Sequence, residues 1–414
     1  MKNLALVLVL AACVFGRGTD AAANPTRSFR HSMEASDRPY RLESVNTQTI
    51  RVDGRVARRA EIVTRALLEP KPPESGSTSP APTTHRTDEP PLSRHYSARY
   101  YLTETDRRRG EPVGVRSVYE STFERSARGE MTIADRYVMP VIRNYPVFPE
   151  REVSPGDQWS HPAWEIHDFR EVWGAEGYLR FDFPVSYRYE GPATWEGLEV
   201  DLIRVEYNIA HRTPYPGTIT GHSQQRIYWN HQRGRLAGTE EEYWIRFHLS
   251  SGQQIEYEGY ARTSVYDEQP LDREAALESI REQLREEEVP HVVVQDTKDG
   301  IVITLEEIGF PPDSAKLQPA EEDRLRRIAT VLGNYPDNGI MVTGHTALAG
   351  TAEGRNRLSI ARARAVGEYL LERGVRSAEQ ILYRGLGATE PVADNSTEEG
   401  RSRNRRVEIT ILDN

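Results

Sequence analysis

The sequence has a single cysteine and, after its first residues, no long apolar run. Cys13 is the only cysteine among 414 residues, so a disulfide within one chain is excluded. No later apolar run reaches the roughly 18 to 20 residues that a membrane-spanning helix needs. The formal net charge is -10, and phosphate binding requires a basic surface, so no nucleic-acid partner is expected. Since no phosphate loop, nucleophile elbow or Cys–His pair occurs, we expect neither a cofactor nor catalytic residues.

The first 23 residues have the composition of an export signal. Lys2 supplies positive charge, residues 4–15 are apolar, and residues 21–23 are alanines suited to cleavage. We therefore expect an exported protein of the periplasm. Residues 10–13 read Leu-Ala-Ala-Cys, which is similar to the lipobox of bacterial lipoproteins. Two interpretations stay open: Cys13 is lipidated and anchors the protein to the outer membrane, its only membrane contact, or cleavage after Ala23 removes it.

Residues 40–265 consist mainly of short extended runs separated by turn signals. Asp53-Gly54 between two such runs predicts a hairpin. Residues 179–189 alternate apolar and polar side chains, which predicts a half-buried strand, and Pro184 indicates an edge strand or a bulge. The close spacing of strands predicts an antiparallel sandwich or open barrel in one or two units, with an unknown envelope protein as partner. Residues 71–93 are rich in Pro, Ser and Thr and are expected to form a disordered insert.

A helix is expected at residues 271–288, followed by an α+β domain. Leu277, Ile280 and Leu284 form a narrow apolar stripe in that helix, which we interpret as a solvated connector between domains. From residue 292 the pattern reads strand, helix, strand, helix, strand, strand (βαβαββ). Its second helix is predicted at residues 353–373, with six side chains on its buried face: Leu358, Ala361, Ala365, Val366, Tyr369 and Leu370. The chain is therefore predicted to be multidomain, with an antiparallel β-rich region first and an α+β domain last.

Several spaced motifs occur in one order between residues 292 and 414. They are Gly344-His345-Thr346, Leu358-Ser359 with Arg362-Ala363, Gly385 with Gly387, and Asn404-Arg405-Arg406. In this order they resemble the C-terminal OmpA-like domain, a periplasmic module that ties bacterial envelope proteins to peptidoglycan. The resemblance implies a non-catalytic cell-envelope protein whose C-terminal domain associates with peptidoglycan.

The resemblance also implies a site for the diamino acid of the peptidoglycan stem peptide, usually meso-diaminopimelate. In the family, an aspartate after Gly-His-Thr takes the ammonium, and the arginine of Leu-Ser-x-x-Arg-Ala takes the carboxylate. Arg362 supplies that arginine, whereas Ala347 replaces the aspartate and Arg355 replaces an asparagine. The expected site comprises Thr346, Ala347, Arg355, Arg362, Arg405 and Arg406. This cationic set repels an ammonium and suits an anion, so weakened or altered ligand preference is expected.

Alternatives to this site remain open. A nearby acid such as Glu353 restores the lost carboxylate, or the arginines serve mainly to pair with acids of the fold. In the second case wall binding has been lost, and the domain acts as an interaction scaffold for another envelope protein or an anionic ligand. His345 is expected to be a structural hydrogen-bonding residue, because no orienting partner stands beside it in sequence.

Enzyme and metal interpretations of the β-rich region are weak. His161, His167 and Asp168 match none of the usual zinc spacings, so no metal is expected there. The neighbouring tryptophans are expected in the sheet core, although exposed aromatic rings would stack on a sugar. A wall-processing enzyme with its active site in this region is the most remote interpretation.

Overall fold

The computed structural model describes residues 26–33, 38–71, 93–106, 114–170, 178–212, 217–268, 271–306, 308–311 and 313–412. The export signal with Cys13 and nearly all of the predicted insert lie outside these residues. The chain divides into two compact units, Met1–Gly110 with Ser117–Glu268, and Glu111–Arg116 with Gln269–Asn414. In the described part of the chain, no helix is both long enough and apolar enough to cross a membrane.

Twelve strands of the first unit form one sheet within the described residues. In chain order, β1 to β12 are Tyr40–Val52, Arg55–Lys71, Ser93–Asp106, Val115–Ser126, Met131–Ile133, Ile142–Arg143, Gln158–Asp168, Tyr178–Trp195, Leu198–Arg212, Gly217–Asn230, Arg235–Leu249 and Gln254–Asp267. Their order in the sheet is β5-β4-β3-β2-β1-β12-β11-β10-β9-β8-β7-β6. Consecutive strands therefore lie side by side, except β5 and β6 at the two ends of the order, and β1 pairs antiparallel with β12.

The sheet curls into a barrel-like shape. Its two edge strands, β5 and β6, are consecutive in the chain, and the Met131 backbone N–H donates to Asn144 Oδ1 at 2.7 Å between them. The predicted antiparallel architecture is confirmed in its barrel form, as one unit. The sandwich alternative is wrong, because a single continuous sheet encloses the core.

Of two local predictions in the strands, the structure agrees with the hairpin at Asp53-Gly54 and differs at Pro184. Asp53 and Gly54 adopt φ values of 50° and 76°, as a tight hairpin between β1 and β2 requires. Pro184, in contrast, does not mark an edge strand, because β8 lies between β7 and β9. The pairing of β8 with β9 begins at Val185, directly after the proline, which has no N–H to donate. The bulge of β8 lies elsewhere, between Tyr189 and Gly191.

The barrel interior combines aromatic side chains with buried polar groups. Tyr207 OH donates to Glu165 Oε1 at 2.9 Å, and the other oxygen of this carboxylate lies 2.8 Å from His167 Nε2. Ser223 Oγ donates to Glu241, which is also buried. His167 therefore belongs to an internal polar network, in which Glu165 satisfies its ring nitrogen.

The second unit contains a mixed sheet with helices. Its described elements are α1 (Arg273–Glu286), β13 (Val292–Thr297), β14 (Gly300–Leu305), α2 (Pro319–Leu332), β15 (Ile340–His345), α3 (Ala352–Glu372), β16 (Ile381–Gly387), α4 (Glu398–Asn404) and β17 (Val407–Leu412). The sheet order is β13-β14-β17-β15-β16, with β15 and β16 parallel and joined through α3. The α+β prediction is confirmed, with β13 and the short α4 as additions. The edge strand β13 was missed because its alternate side chains are exposed.

Helix α1 is part of this unit. Ala276, Ile280 and Leu284 are buried in the same hydrophobic cluster as the sheet and helices α2 and α3. Asp272 caps the helix by accepting from the Ala275 N–H. One face of this helix is therefore packed against the C-terminal unit, where the sequence predicted a solvated connector. Its apolar stripe is narrow because one of its three buried positions is the small Ala276.

Candidate functional site

Helix α3 lies unusually close to the sheet because glycines face it. A Cβ on Gly344 of β15 would lie 2.0 Å from the Ser359 carbonyl oxygen, and one on Gly385 of β16 would lie 2.7 Å from the Ile360 nitrogen. A Cβ on Gly367 of the helix would lie 2.3 Å from the Tyr383 ring. These contacts allow only glycine, and they determine which face of α3 is buried.

The buried face of α3 differs from the predicted one. Leu358, Ala361, Ala365 and Tyr369 are only partly buried, while Val366 and Leu370 are buried as predicted. The remaining buried positions are Ser359, Arg362, Ala363 and Gly367. Small residues at Ser359, Ala363 and Gly367 allow close helix–sheet contact, so the buried stripe runs through them as well as through Val366 and Leu370. As a result Arg362 is buried, where a position at the border of the stripe was predicted.

Arg362 is held by backbone and aromatic contacts. Its Nε donates to the Ser314 carbonyl oxygen at 3.0 Å, and its guanidinium lies 5.0 Å from the centre of the Phe310 ring. Within the described residues its Nη groups make no hydrogen bond, so they are available to a carboxylate. Burial lowers the pKa of Arg362, and the nearby Arg405 lowers it further.

Asp313 is the acidic residue whose charge acts on Arg362. Its negative charge raises the pKa of Arg362 and opposes the effects of burial and Arg405. Asp313 has a φ of 51°, a left-handed conformation that Asp tolerates better than most residues, and it is exposed. Sequence reasoning missed this residue, because no motif in the sequence marks it.

The two arginines that follow Asn404 have different environments. The Arg405 guanidinium donates to Glu398 at 2.9 Å on the surface and still acts on Arg362. Arg406 is buried and donates to Glu408 Oε1 at 2.8 Å and to the Glu390 carbonyl oxygen at 3.1 Å. Of the two, the structure therefore brings only Arg405 to the cleft, and the described contacts of Arg406 are with the fold.

His345 lies beside the same acid. Its Nε2 is 3.4 Å from Glu408 Oε2, a charge contact whose geometry is too poor for a hydrogen bond. Burial alone would raise the pKa of Glu408, but His345 and Arg406 outweigh it and lower the pKa to about 2. Both ring nitrogens of His345 are buried and have no hydrogen-bond partner among the described residues, so its structural role stays a prediction.

The loop after β15 carries Thr346 and Ala347. The Thr346 N–H donates to the Gly387 carbonyl oxygen at 2.8 Å, and the Leu348 N–H donates to Asn395 Oδ1 at 3.0 Å. Thr346 Oγ1 is buried and has no hydrogen-bond partner among the residues that the structure describes. The loop is therefore fixed at both ends, and its backbone position is maintained without the family's aspartate.

Arg355 and Glu353 lie at the start of α3. Arg355 Nη1 donates to the Gly350 carbonyl oxygen at 2.6 Å, which closes the preceding loop. The Glu353 side chain is 76% exposed and lies 3.8 Å from Arg357. The structure thus places Glu353 beside Arg357, and Asp313 is the acid that acts on Arg362.

Comparisons with known proteins point to one family for this unit. The OmpA family profile matches residues 309–405. The probable lipoprotein YiaD of Escherichia coli K12 is 40% identical over 121 residues, covering 29% of this chain and 55% of YiaD. The peptidoglycan-binding protein ArfA of Mycobacterium tuberculosis H37Rv is 44% identical over 105 residues, covering 25% of this chain and 32% of ArfA. The chain therefore spans about half of YiaD and about a third of ArfA.

One solved structure extends the comparison. The cell wall anchor of the T6SS from Pseudomonas aeruginosa is 33% identical, and the match covers 33% of this chain and 97% of that chain. The TM-score is 0.29.

Proposed function

Since residues 309–405 form an OmpA-family domain, we propose that this chain is a non-catalytic cell-envelope protein whose C-terminal unit binds the stem peptide of peptidoglycan. ArfA, a peptidoglycan-binding protein, is 44% identical to this chain over 105 residues. The proposal depends most on Arg362, whose Nη groups make no hydrogen bond to the described residues and match a carboxylate in a partly apolar setting.

We further propose that Asp313 takes the role of the aspartate that Ala347 replaces. The diamino acid of the stem peptide ends in an ammonium and a carboxylate, and it requires one charge of each sign from the protein. Asp313 supplies a negative charge close enough to act on Arg362. A ligand held in this way is displaced toward Asp313, which gives the altered preference expected from the sequence.

The test is calorimetric titration of the full chain with a soluble stem peptide that contains diaminopimelate. Arg362→Ala should weaken binding by about 2 to 5 kcal/mol, or tens to thousands of fold. Asp313→Asn should weaken it about tenfold or more, because the ammonium loses its partner. Arg364→Ala is the matched control, since Arg364 lies on the same helix but pairs with Glu368 on the surface.

Each variant has an outcome that contradicts the proposal. Unchanged binding by Arg362→Ala would remove the cleft as the site, and unchanged binding by Asp313→Asn would remove the compensating role of that acid. If the wild type does not bind but Ala347→Asp does, this domain no longer binds the wall.

A second candidate, an anionic ligand bound without an ammonium, is favoured by one observation. Arg405 acts on Arg362 as a second positive charge in the cleft. Titration with a stem peptide acetylated on its side-chain amine separates the two candidates. Equal affinity for both peptides favours the anion, and weaker binding of the acetylated peptide favours the diamino acid.

We also propose that the protein is exported to the periplasm and that Cys13 anchors it to the outer membrane. The support is the export-like composition of the first 23 residues. Metabolic labelling with a fatty acid should mark the wild type and fail to mark Cys13→Ser. Equal labelling of both proteins would contradict lipidation at this residue.

A further inference from the structure

The outer face of the barrel-like sheet carries a groove of about 760 Å³. It crosses the four neighbouring strands β1, β12, β11 and β10. Its centre contains Trp244 and Tyr260, each 37% exposed. Thr47 and Thr49 line it on one side, and His222 and Gln224 line it on the other.

The two aromatic rings occupy diagonal positions on adjacent strands. In the register of β11 with β12, Trp244 pairs with Glu258 and Tyr260 pairs with Glu242. Diagonal neighbours on one sheet face are about 7 to 8 Å apart, so both rings lie within reach of one extended ligand. Arg246 lies over the Trp244 ring at 5.3 Å from its centre and restricts its orientation.

Ion pairs border the groove on both sides. One border is formed by Arg51 and Arg246, which both contact Glu256. The other is formed by Arg226 and Arg262, which lie 3.9 Å and 3.7 Å from Glu240. Between these borders the groove carries aromatic, hydroxyl and amide groups together with Glu242 and Glu258, and Glu258 also pairs with Arg51.

This composition matches a sugar better than a protein segment. A pyranose ring has an apolar C–H face, which stacks on an aromatic ring, and a rim of hydroxyl groups, which need donors and acceptors. Glu242 and Glu258 supply acceptors beside the two rings, and Gln224 supplies both kinds of group. The described lining contains no Leu, Ile, Val or Met side chain, which a packed protein contact would use.

We propose that this groove binds the sugar strand of peptidoglycan. The identification of this polymer depends on the proposed function of the C-terminal unit, which recognises the stem peptides attached to the same strands. A chain with both sites contacts one polymer twice, and linked sites bind more tightly than either site alone.

The experiment uses sugar strands from which an amidase has removed the stem peptides. Binding to the full chain is measured by tryptophan fluorescence and by co-sedimentation. The wild type and Arg362→Ala should bind equally, because no stem peptide is present. Trp244→Ala and Tyr260→Ala should each bind about tenfold more weakly, since each loses one stacking face.

Tyr266→Ala is the matched control. Tyr266 lies on the same strand as Tyr260, is 40% exposed and has the Arg41 guanidinium over its ring at 4.6 Å, but it lies outside the groove. This variant should bind like the wild type. Since all three aromatic residues are exposed, the variants should fold, and circular dichroism checks that they do.

Several results would overturn the inference. They are absence of binding by the wild type, undiminished binding by Trp244→Ala and Tyr260→Ala, or loss of binding in Arg362→Ala. Equal binding to amylose would overturn the assignment to peptidoglycan. Binding of stripped strands without binding of the stem peptide would retain this site and contradict the proposed function.

Discussion

The two units of the chain bury different kinds of side chain. The main cluster of the barrel-like unit is rich in aromatic residues, including Trp229, Tyr187, Tyr257 and Phe181. The fully buried members of the cluster in the C-terminal unit are all aliphatic, such as Ile303, Leu325 and Val366. Tyrosines bring hydroxyl groups into a core and need buried partners, whereas aliphatic side chains need only close packing.

The difference appears in the buried acids of the two units. Glu241 lies inside the barrel-like unit, where burial and the nearby Glu165 raise the pKa of its carboxyl well above the ordinary value, against the effect of Gln225. Glu408 lies on β17, the central strand of the C-terminal sheet, where His345 and Arg406 lower its pKa to about 2 despite burial. The two units should therefore respond to pH in opposite directions through these groups.

Removal of α1 should have the largest effect on the C-terminal unit. A fragment of residues 289–414 lacks Ile280 and Leu284, each of which contributes about 1.5 to 3 kcal/mol when fully buried. We expect it to be about 3 to 6 kcal/mol less stable than residues 269–414 in urea denaturation. Equal free energies of unfolding would show that the helix is a connector after all.

Gly344→Ala tests the close packing of α3. The new Cβ would lie 2.0 Å from the Ser359 carbonyl oxygen, a backbone atom that moves only with the helix. We expect a loss of about 3 kcal/mol in the free energy of unfolding. Gly354→Ala in the same helix meets only the Thr351 side chain, at 3.1 Å, and should change stability by less than about 1 kcal/mol. Similar losses in both variants would contradict the role of close packing.

The lowered pKa of Glu408 predicts an acid-sensitive contribution to the C-terminal unit. The Glu408 carboxyl has a pKa of about 2 in the folded state, against an ordinary value of 4.5. It therefore stabilises the fold fully above pH 4.5. This contribution is lost as pH falls from 4.5 toward 2. Glu408→Gln should be about 2 kcal/mol less stable than the wild type at pH 7. Its free energy of unfolding should also fall less than that of the wild type as pH drops from 4.5 toward 2.

The pH dependence is measured by urea denaturation of residues 269–414 at pH values from 2 to 7. Glu353→Gln is the control, because the Glu353 side chain is largely exposed and contacts only the surface around Arg357. An identical acid profile for Glu408→Gln and the wild type would contradict the prediction.

Glu241→Gln should have the smallest effect and the opposite sign. Because the pKa of Glu241 is raised, the folded state holds a proton that the unfolded state releases above about pH 4.5, so stability falls as pH rises. Glutamine removes this loss, and we expect the variant to be about 1 kcal/mol more stable than the wild type at pH 8. Thermal unfolding at pH 5 and pH 8 measures the difference, with exposed Glu242→Gln as the control. A destabilised variant at pH 8 would show that Glu241 is ionised and paired in the fold.

The two units were also predictable to different degrees. Alternation of apolar and polar residues located the long strand β8, and Asp53-Gly54 located a turn, because both signals are local. The sequence did not decide whether these strands form a sandwich or an open barrel. The pairing of β1 with β12 joins residues more than 200 positions apart, and no local pattern encodes such a contact.

In the C-terminal unit, ordered motifs identified the fold, and packing details decided the site. The role of Arg362 as a binding residue stays a prediction, and its burial exceeds the predicted border position because Gly344 and Gly367 allow close contact between α3 and the sheet. Asp313 was missed because its effect depends on a loop that folds back onto α3. Arg406 could not be separated from Arg405 by sequence, since adjacent residues at the end of a short helix face different directions.

The short edge strands of the barrel-like sheet affect how copies of this protein meet one another. An open sheet edge exposes unpaired N–H and C=O groups, which recruit further strands and lead to fibrils. Here the edges are β5 and β6, of three and two residues, and Met131 at one edge already donates to Asn144 at the other. Concentrated solutions of the folded protein should therefore resist aggregation by strand addition.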